Sequence, residues 1–295
     1  MPPAAPLEFD ALGTSWWIRA EGLESVLEGR VRDRLNDFDA TWSRFRGDSL
    51  AMRLAAPADV GRADGERTVE FPAEAAPLGR LYRELHDLSG GSVTPFIGAS
   101  LAQLGYDPDY SLQPHGEPVP APRWGEDVDW DGRTVSARTP VVLDIGAAGK
   151  GLAVDLVCEI LLGAGLTDFL VDAGGDMRRH GGTSDRIALE NPFDTRQAIG
   201  VVELHDGALA ASAVNRRAWG EGLHHVLDGL TGRPVRRVVA SWVLAPDAMT
   251  ADGLATALFF VPGVNLAERH DVHWLSVHSD GHAEGSPYFL EGLHR

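Results

Sequence analysis

The sequence predicts an α+β protein, and three observations predict it. Strand-like and helix-like segments mix without the strict alternation that a parallel α/β sheet requires. Short runs rich in Val, Ile and Leu, such as residues 169–173, 199–204 and 237–244, have Gly, Asp or Pro within two residues of their ends, as strands do. The 295 residues suit one large domain or two intimate ones on a prior of about 150 residues each. We read a single domain with two lobes, approximately 1–140 and 141–295, made of mixed sheets with packed helices.

The elements follow in order. Residues 7–20 read as a strand in which Trp16 and Trp17 are consecutive, so one ring turns inward and the other faces a groove or partner. Residues 22–45 read as a helix, with Val26, Leu27, Val31, Leu35 and Phe38 near the 3.6 period. Residues 57–75, punctuated by Pro57, Gly61, Gly65 and Pro72, read as a loop before a helix at about 76–89. Six prolines between 107 and 140 mark a long connection, with short strands at 128–130 and 134–137. A turn-rich segment at 144–151 opens a helix at 151–164 that Gly165 closes. A Gly174–Gly175 turn follows strand 169–173, and further strands are expected at 186–190, 199–204 and 237–244. A helix at 250–260 follows Pro246–Asp247. The tail reads as strand 274–278, a turn at Asp280–Gly281, and a last strand at 287–290.

Composition narrows the function. Lys and Arg number 26 against 43 Asp and Glu, a net charge of −17. A field of that sign repels phosphate backbones and anionic lipid, which argues against nucleic-acid and membrane-surface partners. Any polyanionic ligand needs cations or backbone amides placed locally. The single cysteine, Cys158, excludes an intrachain disulfide and a thiolate zinc cage, and its apolar helix points to core packing. No apolar run approaches the roughly 20 residues of a membrane span. The first residues lack a basic, then apolar, leader pattern, so a cytoplasmic location is expected.

Several motifs carry chemistry, each beside a plainer reading. Gly146-Ala147-Ala148-Gly149-Lys150-Gly151 precedes a helix and is either an anion cradle or a tight turn with a solvated lysine. Its spacing fits neither a P-loop nor GxGxxG. Asp252 and Thr256 lie four apart on one helix face, an oxygen pair suited to Mg²⁺. Alternatively, Asp252 merely complements the helix dipole. His225, before a Gly- and Pro-bearing turn, is a candidate general base, although adjacent His224 shows how little one histidine signifies. His270, His273, His278 and His282 suggest zinc only loosely, because 273 and 278 alternate to opposite strand faces; a solvated strand and hairpin is preferred.

Taken together, these segments resemble the ApbE family of FAD:protein FMN transferases, over most of the chain and in the same order. Leu12-Gly13-Thr14 resembles the family's M-G-T, and Ser43-Arg44-Phe45 with Asp48-Ser49 its S-x-[YF]-x-x-[DN]-S. Gly91-Ser92-Val93-Thr94-Pro95 stands at G-x-F-D-P-T. Residues 143–155 are similar to D-L-G-G-I-A-K-G-x-A-x-D, and residues 170–176 to L-V-N-x-G-G-D. His225-Val226-Leu227-Asp228 with Thr231-Gly232-Arg233-Pro234 resembles H-I-I-D-P-x-T-G-x-P. Ala251-Asp252-Gly253-Leu254-Ala255-Thr256-Ala257 resembles A-D-A-L-S-T-A.

The resemblance implies an α+β, T-fold-like architecture and a role for each matched residue. Asp252, Thr256 and the carbonyl of Ala147 would ligate Mg²⁺, with Mn²⁺ as the alternative, against the pyrophosphate of the substrate FAD. Phe45 would stack on the cofactor, and Leu12, Ser92, Val93 and Thr94 would line its site. Asp144 and Lys150 would contact the nucleotide, with Val226 and Leu227 packed beside it. His225 would take the proton from a Thr or Ser hydroxyl of an acceptor flavoprotein, leaving FMN attached and AMP released. Other readings of the same site are an FAD pyrophosphatase and a non-catalytic FAD-binding protein. The chain also departs from the family pattern. Thr94 replaces Asp, Phe96 replaces Thr, Gly149 replaces Ala, Gly229 replaces Pro, and Ala210-Ala211-Ser212-Ala213 stands at A-T-S-G. The changes at 94 and 96 fall on one wall of the flavin site while the catalytic and metal positions match, which implies a divergent member with either altered substrate affinity or a narrowed target range.

Overall fold

The computed structural model describes residues 6–56 and 66–294; the expected loop at Pro57, Gly61 and Gly65 lies outside them, as do the first five residues. In chain order, β1 (Leu7–Ala11), β2 (Thr14–Ala20) and α1 (Ser25–Trp42) come first. There follow β3 (Arg67–Glu70), α2 (Ala75–Leu88), α3 (Gly98–Gln103), β4 (Val128–Asp131) and β5 (Thr134–Ala137). Next are α4 (Gly149–Gly163), β6 (Phe169–Ala173), β7 (Asp176–His180), β8 (Asp185–Glu190), β9 (Ala198–Leu204) and β10 (Gly207–Ala213). Four two-residue strands follow: β11 (Ala218–Trp219), β12 (Leu223–His224), β13 (Leu227–Asp228) and β14 (Arg233–Pro234). The chain closes with β15 (Val238–Ala245), α5 (Ala248–Ala257), α6 (Gly263–Ala267), β16 (His273–His278), β17 (Ala283–Gly285) and α7 (Pro287–Gly292).

These elements form two compact units that interleave along the chain. The first comprises residues 1–36, 148–215 and 236–295, the second 37–147 and 216–235. A single cut near residue 140 therefore does not describe the division. The N-terminal hairpin joins the C-terminal half because its β2 pairs with β6, a non-local contact invisible to sequence order.

In the first unit, eight strands run in the order β1-β2-β6-β7-β10-β15-β16-β17, each pair antiparallel. Strand alternation sends Ser241 and Val243 toward α5, where the Ser241 hydroxyl donates to the Ala255 carbonyl at 2.6 Å. Ala240 and Trp242 turn to the opposite face, which the β8–β9 hairpin and Phe289 of α7 cover. Ala208 and Ala210 of β10 are fully buried. Such small side chains let α5 lie close to the sheet.

The sequence predicts one strand over 7–20, whereas the structure has a hairpin. Leu12 and Gly13 form its two-residue turn with φ values of 52° and 71°, the left-handed pair a tight hairpin needs. Trp16 is buried and stacks on Phe9, while half-buried Trp17 packs against the opposite-face core. The expected strand at 287–290 is instead α7, with Pro287 in its first turn where a missing amide costs nothing. The solvated reading of the His-bearing tail is likewise replaced, because β16 is buried from Trp274 onward.

In the second unit, β3, β5 and β4 form a small antiparallel sheet. Its core is a stack of aromatics: Trp42 lies 4.6 Å from Phe71 and 6.0 Å from Trp130, and Trp130 stacks on Tyr82. Gly79 in α2 admits that indole, since a Cβ there would collide with it. Residues 67–70, expected as loop, form the strand that completes this sheet.

Candidate active site

Each unit holds one group of the residues singled out above. In the first unit the group is built on α4 and α5. A Cβ on Gly151 would run into the Ala248 carbonyl oxygen, so glycine is what lets the two helices approach. At that approach the Gly151 amide donates to Asp252 Oδ2 at 3.0 Å. Lys150 forms an ion pair with Asp176, whose carboxylate is wholly buried at the start of β7.

The helix-dipole reading of Asp252 does not survive this geometry. Asp247 caps α5 by accepting from the Thr250 amide at 2.8 Å. Asp155 of α4 accepts from the Ala248 and Met249 amides at 3.0 and 2.9 Å and pairs with Arg178. Two other carboxylates therefore complement the N-terminus of α5, leaving Asp252 a turn further in. It is 2% exposed. Burial, then the neighbouring Asp176, push its carboxyl up to about 8, against the opposing pull of Lys150 and the amides of Gly151 and Lys150.

That environment fits a hard divalent cation. Asp252 and Thr256 present oxygen donors one helical turn apart, and a cation would relieve the cost of a buried, crowded carboxylate. Also in this unit, Leu12 sits half-buried in the β1–β2 turn. Beside it, Thr14 abuts Gly174, so closely that a Cβ on Gly174 would strike the threonine hydroxyl. The Gly174–Gly175 turn, at φ 67° and 109°, leads directly into Asp176.

The second unit gathers Phe45, Asp144, residues 92–94 and the His225 segment. Phe45, Leu223 and Leu227 pack in one cluster with Leu101, Tyr106 and Trp219. Arg44, 4% exposed, donates to Asp144 Oδ2 at 2.5 Å and to the Tyr106 carbonyl at 2.7 Å. Its guanidinium lies 4.1 Å from the Phe45 ring centre. Asp144 Oδ1 accepts from the Gly146 amide at 2.7 Å, and the Tyr82 hydroxyl accepts from the Ala147 amide at 3.2 Å. Buried Val93 and half-buried Ser92 lie beside the turn after Asp228, where the Gly229 amide donates to the Ser92 carbonyl at 2.8 Å.

The structure separates the two adjacent histidines. His224 is buried; its Nε2 meets the Val235 carbonyl at 2.8 Å and its Nδ1 accepts from the Val226 amide at 3.3 Å. These bonds occupy both ring nitrogens in holding the chain. His225 is half-buried between β12 and β13, its backbone amide bonded to the Arg217 carbonyl at 3.2 Å, and it flanks the buried Val226 and Leu227.

The departures at 94 and 96 acquire physical roles. Thr94 Oγ1 accepts from the Phe96 amide at 3.3 Å, the local turn bond that an aspartate would also make. Phe96 is wholly buried and lies edge-on to Trp124 at 5.0 Å.

Sequence reading missed Asp176, Arg44 and Tyr82. Asp176 was visible as the residue after a Gly-Gly turn, but its partner Lys150 stands on another element. Cys158 is buried in α4, and burial pushes its thiol far above the usual range. Among the tail histidines, His278 is buried and bonds Glu284 at 2.9 Å, while His273 is exposed and stacks on Tyr288. Among the described residues, no three His, Cys, Asp or Glu side chains gather as a metal site, and no helix is long and apolar enough to cross a membrane.

An antiparallel sheet faced by two helices that hold a buried aspartate beside a lysine–aspartate pair defines an α+β protein with a charged, water-poor site. The chain belongs to the ApbE family, whose profile matches residues 12–275. It is 32% identical over 211 residues to the FAD:protein FMN transferase of Vibrio cholerae, covering 65% of this chain and 63% of that one. With the FAD:protein FMN transferase of Haemophilus influenzae it shares 28% identity over 264 residues, 81% and 74% of the two chains. The match thus spans just under two thirds of the Vibrio cholerae relative's length. Among solved structures, the flavin transferase ApbE from Vibrio cholerae superposes with a TM-score of 0.79 at 26% identity, over 98% of this chain and 99% of that one. The ApbE protein of Thermotoga maritima superposes with a TM-score of 0.81 at 24% identity over the same shares, which speaks to the fold.

Proposed function

We propose that this protein is an FAD:protein FMN transferase. The observation that carries the reading is the buried Asp252, held by the Gly151 amide and crowded by the Lys150–Asp176 pair, on the helix that also bears Thr256. The relatives' name, FAD:protein FMN transferase, supports FAD as the substrate and a protein as the acceptor; the accepting group in this reading is a Thr or Ser hydroxyl.

In this reading His225 accepts the proton of the acceptor hydroxyl. The hydroxyl oxygen bonds to the FMN-side phosphorus, the bond from that phosphorus to the bridging oxygen breaks, and AMP leaves with the bridging oxygen. Asp252, Thr256 and the Ala147 carbonyl would hold Mg²⁺, whose positive charge would offset that of the pyrophosphate. Phe45 stacks on the flavin, with Leu12, Ser92, Val93 and Thr94 lining its site. Asp144, locked by Arg44, and Lys150, locked by Asp176, approach the nucleotide as oriented rather than free charges. Val226 and Leu227 exclude water beside His225.

The test is incubation with FAD, with and without Mg²⁺, followed by chromatography for AMP and FMN, then repetition with a Thr-bearing acceptor protein. Metal-dependent AMP release together with a flavin-labelled acceptor is expected. AMP and free FMN without an acceptor would instead assign a pyrophosphatase. FAD binding without AMP in either case would sink the transferase reading.

A further inference from the structure

Phe45, the ring proposed to stack on the flavin, already carries a planar partner. The Tyr110 ring lies parallel to it, with 10° between planes and 5.1 Å between centroids. Arg44 also lies against Phe45, but the two neighbours are held very differently. Arg44 is buried and tied to Asp144 and to the Tyr106 carbonyl, so moving it would strand a buried charge. Tyr110 is 51% exposed, and its other ring contact is an edge-on approach to Tyr106 at 5.6 Å.

The loop that carries Tyr110 is held closed at a cost in backbone conformation. Tyr110 and Leu112 both adopt the left-handed conformation, with φ values of 50° and 52°, which residues bearing a Cβ disfavour. The loop is pinned by the Leu112 amide on the Gly105 carbonyl at 2.8 Å, the His115 amide on the Gln103 carbonyl at 2.8 Å, and the Ser111 amide on Asp107 Oδ1 at 2.9 Å. None of these pins involves the Tyr110 side chain. Its ring can therefore turn outward about its own Cα–Cβ bond while the loop stays closed.

We infer that Tyr110 stands in for the flavin: its ring occupies the face of Phe45 that the isoalloxazine takes, so FAD binds by displacing Tyr110, which thereby sets the affinity of the site for planar ligands. The inference rests on the function proposed above. An offset aromatic pair is a modest interaction, so the covered state is populated several-fold over the open one. The apparent dissociation constant is the intrinsic one divided by the open fraction.

Titration of FAD against the full chain in Mg²⁺, followed by flavin fluorescence, tests this with Tyr110→Ala, Tyr110→Phe and Phe45→Ala. Alanine keeps a Cβ and hence the same backbone preference, so the change isolates the ring. Tyr110→Ala is expected to bind FAD about three- to tenfold more tightly, and Tyr110→Phe like the unchanged protein. Phe45→Ala is expected to bind more weakly. If the unchanged protein binds FAD but Tyr110→Ala binds equally or more weakly, displacement is overturned and the proposed function stands. If Phe45→Ala binds as tightly as the unchanged protein, the stacking role is overturned and the inference with it. If the unchanged protein binds no FAD, the proposed function fails first, and the inference fails for that reason.

Discussion

The Gly151 amide donates to Asp252 Oδ2 across 3.0 Å, tying together two helices whose contact residues stand 101 positions apart. The bond exists because residue 151 has no side chain: a Cβ would strike the Ala248 carbonyl. Gly151→Ala should therefore destabilise the protein by about 1–3 kcal/mol through overpacking. Helix propensity alone would stabilise it by roughly 1 kcal/mol. Urea unfolding separates the two, and a gain in stability would contradict the close approach.

Asp252→Ala should remove the response to divalent cation. In the unchanged protein, Mg²⁺ at about 100 times its dissociation constant should add roughly 2.7 kcal/mol of stability. Thermal melts in Mg²⁺ and in chelator should differ for the unchanged protein and coincide for the variant. A preserved Mg²⁺ shift in Asp252→Ala would place the ion elsewhere.

The adjacent histidines should respond oppositely to truncation. His224→Ala leaves the Val226 amide and Val235 carbonyl without their ring partners and should cost about 1–3 kcal/mol. His225→Ala should keep stability within about 1 kcal/mol while abolishing AMP release. Parallel melts and AMP assays read both, and an active His225→Ala would end its assignment as base.

Phe96→Thr, which restores the residue type of the family pattern, should harm rather than help. The ring is wholly buried against Trp124, so its loss should cost about 3 kcal/mol with no gain in FAD affinity. Tighter FAD binding by a protein of unchanged melting temperature would return residue 96 to the site wall.

Hydrogen bonds from His115 and Ser111 hold the Asp107 carboxyl well below its ordinary value of 3.8. A carboxyl lowered on folding contributes stability above its unfolded value and loses it as pH falls through the folded one. Amide protection at residues 105–115, corrected for intrinsic exchange, should thus weaken on acidification below about 4. Asp107→Asn should show weak protection already at neutral pH, and equal protection in both proteins would mean the carboxylate does not hold the loop.

Most elements with a strong local signal were legible in the sequence. The amphipathic spacing of Leu27, Val31, Leu35 and Phe38 marks α1, and the apolar run at 169–173 marks β6. Strands β7 and β10 were not legible. Their sequences, Asp-Met-Arg-Arg-His and an alanine-rich run, lack strand propensity, and they are strands because neighbours on both sides pair with them. The candidate site divides in the same way. His225, Asp252 and Thr256 could be named from their motifs, but Arg44, Tyr82, Tyr110 and Asp176 could not, since each matters through a partner distant in sequence or on another element.

The sequence by itself determined the α+β class from local patterns, and the family, with the candidate ligands and base it implies, from short motifs whose order along the chain resembles the family's. Only the tertiary structure decided which of two adjacent histidines is occupied by backbone bonds, and that carboxylates other than Asp252 complement the helix end. It also decided that Phe96 is core and that a tyrosine covers Phe45. Burial, like-charge crowding and close approach are properties of three-dimensional neighbours, and a chain read in one dimension carries only the residues that will meet, not the meetings.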